Sequence, residues 1–487
     1  MRILFTFMCA LALGLVGCSE TSGTGGTAGS SGVGGDGGSA GSGGMGGTGG
    51  MECFFDYECD DGNQCTENAC PAGVCEFPPV EDGTPCDDGN ECTADLCSDA
   101  ECESTPVQDG TACDESNECT VGMCSDGDCD STTVADGTAC GDEAGTCQQG
   151  SCKVACTELG IRDAIAAGGG PYTFACADPT TIVTQEEIVI DSEVILDGEG
   201  LLTVDGNEEH GVFVLPGGTR AELRGLTVTG GADVATGGGI FSEGDLVLVN
   251  SEVRDSAAAE GGGGIWSGGG ATLTLIDSTV SGNRAEFGGG IRNTGAWGTL
   301  TNSTVSGNTG RQGGGIHGDA AALTLTNSTV SGNSADSGSA IFYENGGDVM
   351  LSSSTVSGSI HVSGRTGGPI SIVTTATLVD GMCSQGGDGV IWTSNGYNIE
   401  SPGDTCRFDH QTSDLLEITP DALKLGELAD NGGPTETHAL LPGSVAIDRI
   451  PEAQCLDPDG APLTTDQRGE PRPGGTMCDV GAFEVQP

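Results

Sequence analysis

The chain has 487 residues, long enough for two or three domains, and a formal charge of −57, with 15 Lys and Arg against 72 Asp and Glu. That balance excludes a basic nucleic-acid footprint and gives a surface that repels polyanions and attracts divalent cations. Composition shifts sharply along the length, so the chain reads as a series of segments.

Residues 1–17 read as a removable export signal: Arg2, an apolar run from Ile3 to Val16, then Gly17. The run is too short to span a bilayer. The ending Leu15-Val16-Gly17-Cys18 resembles a bacterial lipoprotein signal, which implies cleavage before Cys18 and lipid attachment to it. A plain secretory signal with an incidental Cys18 is the alternative. Ser19 resembles the sorting context of outer-membrane lipoproteins and implies an exported, lipid-anchored protein at the outer membrane, facing outward or into the periplasm. After Cys18, residues up to 50 are nearly all Gly, Ser, Thr and Ala. They are expected to form a flexible tether with an r.m.s. reach of roughly 30 Å.

Residues 51–153 carry a cysteine repeat. Cys59, Cys86, Cys113 and Cys140 are each 27 apart, and Cys86, Cys92, Cys97 and Cys102 give the spacing C-x5-C-x4-C-x4-C. Removing Cys9 with the signal and assigning Cys18 to lipid leaves 22 of the 24 cysteines, an even number that suits complete disulfide pairing in an exported chain. Zinc is the competing reading, and the segment has no histidine to support it. Spacing does not fix the connectivity. The units resemble the slime-mould cysteine-rich repeat of extracellular matrix and spore-coat proteins. Their turns, such as Asp60-Asp61-Gly62-Asn63 and Asp87-Asp88-Gly89-Asn90, hold oxygen ligands of the kind calcium prefers, without the bidentate Glu of an EF-hand loop. Solvated turn chemistry explains the same residues. No cofactor is expected, and calcium is the one candidate ion.

Residues 154–400 contain a second repeat. Val228, Val253, Val280, Val305, Val330 and Val356 keep steps of 25 to 27, and Ile240, Ile265, Ile291, Ile316 and Ile341 keep the same beat. Short alternating strands bounded by Gly and Asn at that period predict an all-β parallel β-helix, one coil per repeat. Asn250, Asp277, Asn302 and Asn327 share a column whose side chains are expected to hydrogen-bond along the axis. The Gly-Gly-Gly-Ile and Asn-Ser-Thr-Val-Ser-Gly-Asn phrases are similar to the right-handed single-stranded β-helices of the pectin-lyase-like fold, in particular surface proteins with polymorphic-outer-membrane-protein-type repeats. Cys156 to Ile165 resembles that group's short capping helix, with Thr157 as N-cap and Gly168 to Gly170 as stop; Cys156 with Cys176 could staple it. Residues 401–487, with Asn431-Gly432-Gly433-Pro434, Asp466-Gln467-Arg468-Gly469 and Cys478-Asp479-Val480-Gly481-Ala482-Phe483-Glu484, resemble the choice-of-anchor Q domain. Cys455 with Cys478 and Cys383 with Cys406 are the further candidate disulfides.

Two columns bear on activity. Five positions before each repeat Ile stand Glu260, Glu286, Arg311 and Asp336. Stacked carboxylates beside an Arg are the residue types a calcium-dependent lyase of acidic polysaccharides uses; a turn ladder with paired charges explains them equally. The residue after each Ile is expected to face outward: Phe241, Trp266, Arg292, His317 and Phe342, with Tyr343 adjacent. Such a row suits glycan or peptide binding unless the Gly-rich turn or the C-terminal region covers it. The expected function is a non-enzymatic, adhesin-like surface lipoprotein with a membrane partner through its anchor and glycans or surface proteins as ligands. A lyase using Glu260, Glu286 and Arg311 is the alternative, and a passive spacer the plainest one.

Overall fold

The computed structural model describes residues 63–487 apart from 72–73, 114–118, 141–144, 149, 365–367 and 408. The signal, Cys18 and the tether lie outside the described residues. The chain forms two compact units, one holding the described residues up to Asp82 with Asp99–Glu101, the other Gly83–Ser98 with Cys102–Pro487.

In the smaller unit the Asn63 side chain accepts a hydrogen bond from the Cys65 amide at 2.9 Å and donates to the Ala100 carbonyl at 2.9 Å. The larger unit repeats this device 27 residues on, where Asn90 accepts from the Cys92 amide and donates to the Gly127 carbonyl, each at 2.9 Å. The Asn of each Gly-Asn-x-Cys phrase therefore closes its own turn and reaches into the next module. The acidic turns are likewise built by local bonds: Asp87 accepts from the Gly89 amide and Asp88 from the Asn90 amide, both at 2.8 Å.

From Val154 to Ser401 the chain is a right-handed single-stranded parallel β-helix. Twenty-eight strands join in one sheet among the described residues, including the last cysteine-rich strands. The helix Glu158–Ala167 is capped by Thr157, whose hydroxyl accepts from the Gly160 amide at 3.1 Å, and it stops at Gly168. Its Ile161, Ala164 and Ile165 are buried against the first coil, and a disulfide joins Cys156 to Cys176.

The repeat markers stack in register. Val253, Val280, Val305, Val330 and Val356 pair coil to coil, as do Ile240, Ile265, Ile291, Ile316 and Ile341. With Leu248, Leu275, Leu300, Leu325 and Leu351 they fill the interior at 2% exposure or less. Each such side chain contributes about 2 kcal/mol of burial, which a single coil could not gain alone.

The amide ladder does not run through the expected column. Asn250, Asp277, Asn302 and Asn327 take φ of +48° to +52°, a left-handed bend that Asn and Asp tolerate, and Asn327 instead donates to the Thr465 carbonyl. The ladder is formed by Asn283, Asn308 and Asn333 of the Ser-Gly-Asn phrases: Asn283 Nδ2 donates to Asn308 Oδ1 and Asn308 Nδ2 to Asn333 Oδ1, both at 3.0 Å. This explains the glycine before Ile265, Ile291 and Ile316. A Cβ at Gly264, Gly290 or Gly315 would lie 2.8 Å from the Nδ2 of Asn283, Asn308 or Asn333.

After Ser401 two isolated bridges extend the stack, Thr393 with Asp409 and Ile399 with Leu415. The C-terminal region then runs back along the outside of the Thr-Val-Ser strands. Thr304 Oγ1 donates to the Glu436 carbonyl, Thr329 Oγ1 to Gln467 Oε1, and the Ala482 amide to Thr355 Oγ1. Arg472, fully enclosed, donates to Glu484 at 3.1 Å, to Asn327 Oδ1 at 3.1 Å and to the Gly481 carbonyl at 2.8 Å. Burial pushes the nearby Asp479 carboxyl up to about 6. Disulfides join Cys383 to Cys406 and Cys455 to Cys478. In the Asp-Gln-Arg-Gly phrase Gln467 docks on the solenoid, whereas Asp466, Arg468, Phe483 and Glu484 hold the returning segment together.

Candidate functional site

The row after each repeat Ile forms as a column, but only its first part is open. Phe241 and Trp266 are partly exposed and stack at 4.5 Å between centroids and 7° between planes. Stacked along the axis, they present ring edges to solvent, whereas sugar stacking uses a ring face. Arg292 follows, its guanidinium 5.1 Å from the Phe287 ring. His317 and Phe342, expected to be exposed, are 0% and 2% exposed. His317 stacks on Phe342 at 5.1 Å and receives the edge of Phe287 at 5.5 Å. The Gly-rich turn is what covers it, because the turn residues Gly261, Phe287, Gln312 and Ser337 themselves pair from coil to coil and hold Phe287 over the row.

Tyr343 is not part of the outward row. It points into the coil and is 0% exposed, in space left by Gly318 on the neighbouring strand, where a Cβ would lie 2.1 Å from the ring. Alternation along the strand sends adjacent residues to opposite faces. Burial raises its phenol well above the usual range.

His317 is a buried base with neither ring nitrogen hydrogen-bonded. Burial first, then the Arg292 charge, push its pKa down to about 4, against the opposing pull of Asp319. Glu344 Oε1 stands 3.6 Å from Nε2, an ion pair only for a protonated ring.

The charged column lies along an open groove of about 900 Å³, lined by small residues of successive turns and by Asp233, Arg284, Glu286, Arg311 and Asp336; Glu260 is not in its lining. Arg311 Nε donates to Glu286 Oε1 at 2.8 Å, both side chains nearly half exposed, and its guanidinium lies 5.0 Å from the Phe287 ring. Among the described residues, the carboxylates that converge in threes to within 4.8 Å are Asp87, Asp88 and Asp95, not members of this column. Glu260, Glu286 and Asp336 therefore do not form the compact oxygen cage calcium requires. Asp88 is held below the usual carboxylate range by hydrogen bonds, chiefly from Ser104 and the Asn90 amide.

Trp297 lies outside both columns. It is 60% exposed and begins a strand whose outward side chains continue as Thr299 and Thr301. Its neighbours in the column are Thr272 and Ala322, too small to cover the indole faces. The same sheet face carries Thr274 and Thr324, and a depression of about 480 Å³ separates Thr299, Thr324 and Met350 from Asp457, Asp459 and Leu463 of the C-terminal region. The sequence signal for it is a break in wording, since Trp297 stands where the other repeats carry Thr272, Ala322 and Asp348.

The fold defines the class as a disulfide-stapled parallel β-solenoid. Residues 200–379 match the family model described as a right handed beta helix region. No curated protein matches. Among solved structures the chain is similar to one titled "Crystal structure of pectate lyase Pel9A", at a TM-score of 0.45 and 13% identity, covering 66% of this chain and 90% of that one.

Proposed function

We propose that the protein is an exported, non-enzymatic scaffold that binds neutral carbohydrate on the flat threonine face around Trp297 and is held at the outer membrane through a lipidated Cys18. The observation that carries the ligand class is the indole of Trp297, 60% exposed between the small neighbours Thr272 and Ala322 and beside rows of hydroxyls. An aromatic platform takes the apolar face of a pyranose, and threonine hydroxyls and the carboxylates of the C-terminal region serve its hydroxyl groups. The disulfides support an oxidising compartment.

A glycan survey with the whole chain tests this. Neutral polysaccharide is expected to be retained, with about tenfold weaker binding in Trp297→Ala, near the upper end of what one aromatic contact contributes, and little change in Trp266→Ala. Equal binding by Trp297→Ala would sink the assignment. Unsaturated products from an acidic polysaccharide with calcium, lost in Arg311→Ala, would install the lyase reading instead. For the anchor, Cys18→Ser is expected to move the protein from the membrane to the soluble fraction, and protease treatment of intact cells reads which side it faces.

A further inference from the structure

We infer that the cysteine-rich modules from Cys86 to Cys152 are a load-bearing shaft in which interleaved disulfides carry tension past most of the backbone. Two sets of bridges coexist. One closes each module on itself: Cys86 with Cys102, Cys113 with Cys129, and Cys140 with Cys152. The other links each module to the next: Cys92 with Cys124, and Cys119 with Cys147. Because Cys119 precedes Cys124, the second set overlaps in sequence, and a pull cannot open one link without loading the other.

The shortest covalent route runs six residues from Cys86 to Cys92, crosses to Cys124, goes back five residues to Cys119, crosses to Cys147 and goes five more to Cys152. The backbone between the same ends is sixty-six residues long. At about 3.5 Å per extended residue, roughly 175 Å of chain is withheld from extension. The self-closing set alone would leave a route of twenty-two residues, so either set holds if the other is lost.

The two sets differ in protection. All four cysteines of the interleaved set are at most 1% exposed, whereas Cys86, Cys102, Cys113, Cys129 and Cys152 of the self-closing set are partly accessible. A disulfide exchanges only when a thiolate can reach it, so the shortest route is also the slowest to be cut. At its far end the shaft enters the solenoid directly: Lys153 and Val154 pair in parallel with Thr173 and Phe174, and Val154 is wholly buried in the core. Tension passes into the sheet without an intervening linker.

The test stretches the whole chain between handles attached at Glu81 and Asp178, on either side of these cysteines, because Cys97 is also disulfide-bonded and would carry tension applied at the chain's N-terminal end; it is independent of any ligand. In the oxidised protein the final contour length is expected to be about 175 Å shorter on account of this segment than in a variant with these ten cysteines changed to Ser. Replacing only the six cysteines of the self-closing set is expected to leave that length unchanged. Replacing only Cys92, Cys119, Cys124 and Cys147 should add about 20 Å. If loss of the self-closing set alone released the full length, the interleaved bridges would not be bearing load and the inference would fall. Wild-type protein held under constant force in a thiol reductant provides the check that needs no variant. The self-closing bridges should reduce without a change in length, followed by two steps that together release fifty residues. Full lengthening with the first bridge reduced would overturn it.

Discussion

Asn308 shows how far coil stacking rests on single amides. Its Nδ2 donates to the Val280 carbonyl and to Asn333 Oδ1, and its Oδ1 accepts from the backbone amide and Nδ2 of Asn283. It is 0% exposed, so truncation leaves several buried groups without partners. Asn308→Ala is expected to destabilise the chain by on the order of 3 kcal/mol in chemical denaturation. The exposed Arg284→Ala, in the next turn over, should stay within about 0.5 kcal/mol. His317 gives a residue-scale pH effect. Folded, its pKa is about 4 against 6.5 for the free side chain, so between those values the unfolded chain holds the extra proton. Its contribution to stability is whole above pH 6.5 and drains away as pH falls through 4. His317→Phe is expected to flatten that part of the stability profile, read as melting temperature against pH beside wild type. Arg292, Arg311, Asp319 and Glu344 face the ring and stay in place in the variant.

At the scale of elements, what was legible in the sequence is what repeats or is local. The stacked Val and Ile columns, the Thr157 cap and the pairing of Cys156 with Cys176 all lie within a few turns of one another in sequence. The pattern offers the Gly-rich turn as a cover over the row without deciding that it closes on His317, because Phe287 breaks a column of Gly261 and Gln312 and nothing in the pattern says where its ring lies. Nor was the return of the C-terminal region legible, whose hydrogen bonds to the solenoid span 105 to 164 residues and have no periodicity to betray them. The Asn302 and Asn327 column reads as a ladder in sequence because Asn serves both bends and ladders, and only φ distinguishes them. The returning segment can be tested on its own terms. Arg472→Leu leaves Glu484 buried at 1% exposure without its cation, a change that costs about 3–5 kcal/mol. Proteolysis within residues 431–487 is expected to accelerate, and Arg472→Leu combined with Glu484→Gln should recover part of the protection.

At the scale of the molecule, charge decides between ligand classes. A net −57 sets up a field that opposes any polyanion, and the groove that holds Arg284 and Arg311 also holds Asp233, Glu286 and Asp336, so its lining is not positive either. The threonine face around Trp297 has no such requirement, since stacking and hydroxyl contacts are insensitive to counterions. Affinity for a neutral glycan is therefore expected to change less than about twofold as salt rises from about 0.02 to 0.5 M, over which the screening length shrinks severalfold. An acidic polysaccharide is expected to show no retention at the low end of that range, where repulsion is strongest. Tighter binding of the polyanion at low salt, weakening as salt is added, would mean that Arg284, Arg292 and Arg311 outweigh the global field locally. The functional face would then be the groove rather than Trp297, and titrating the same two polymers against Trp297→Ala and Arg284→Ala would show it directly.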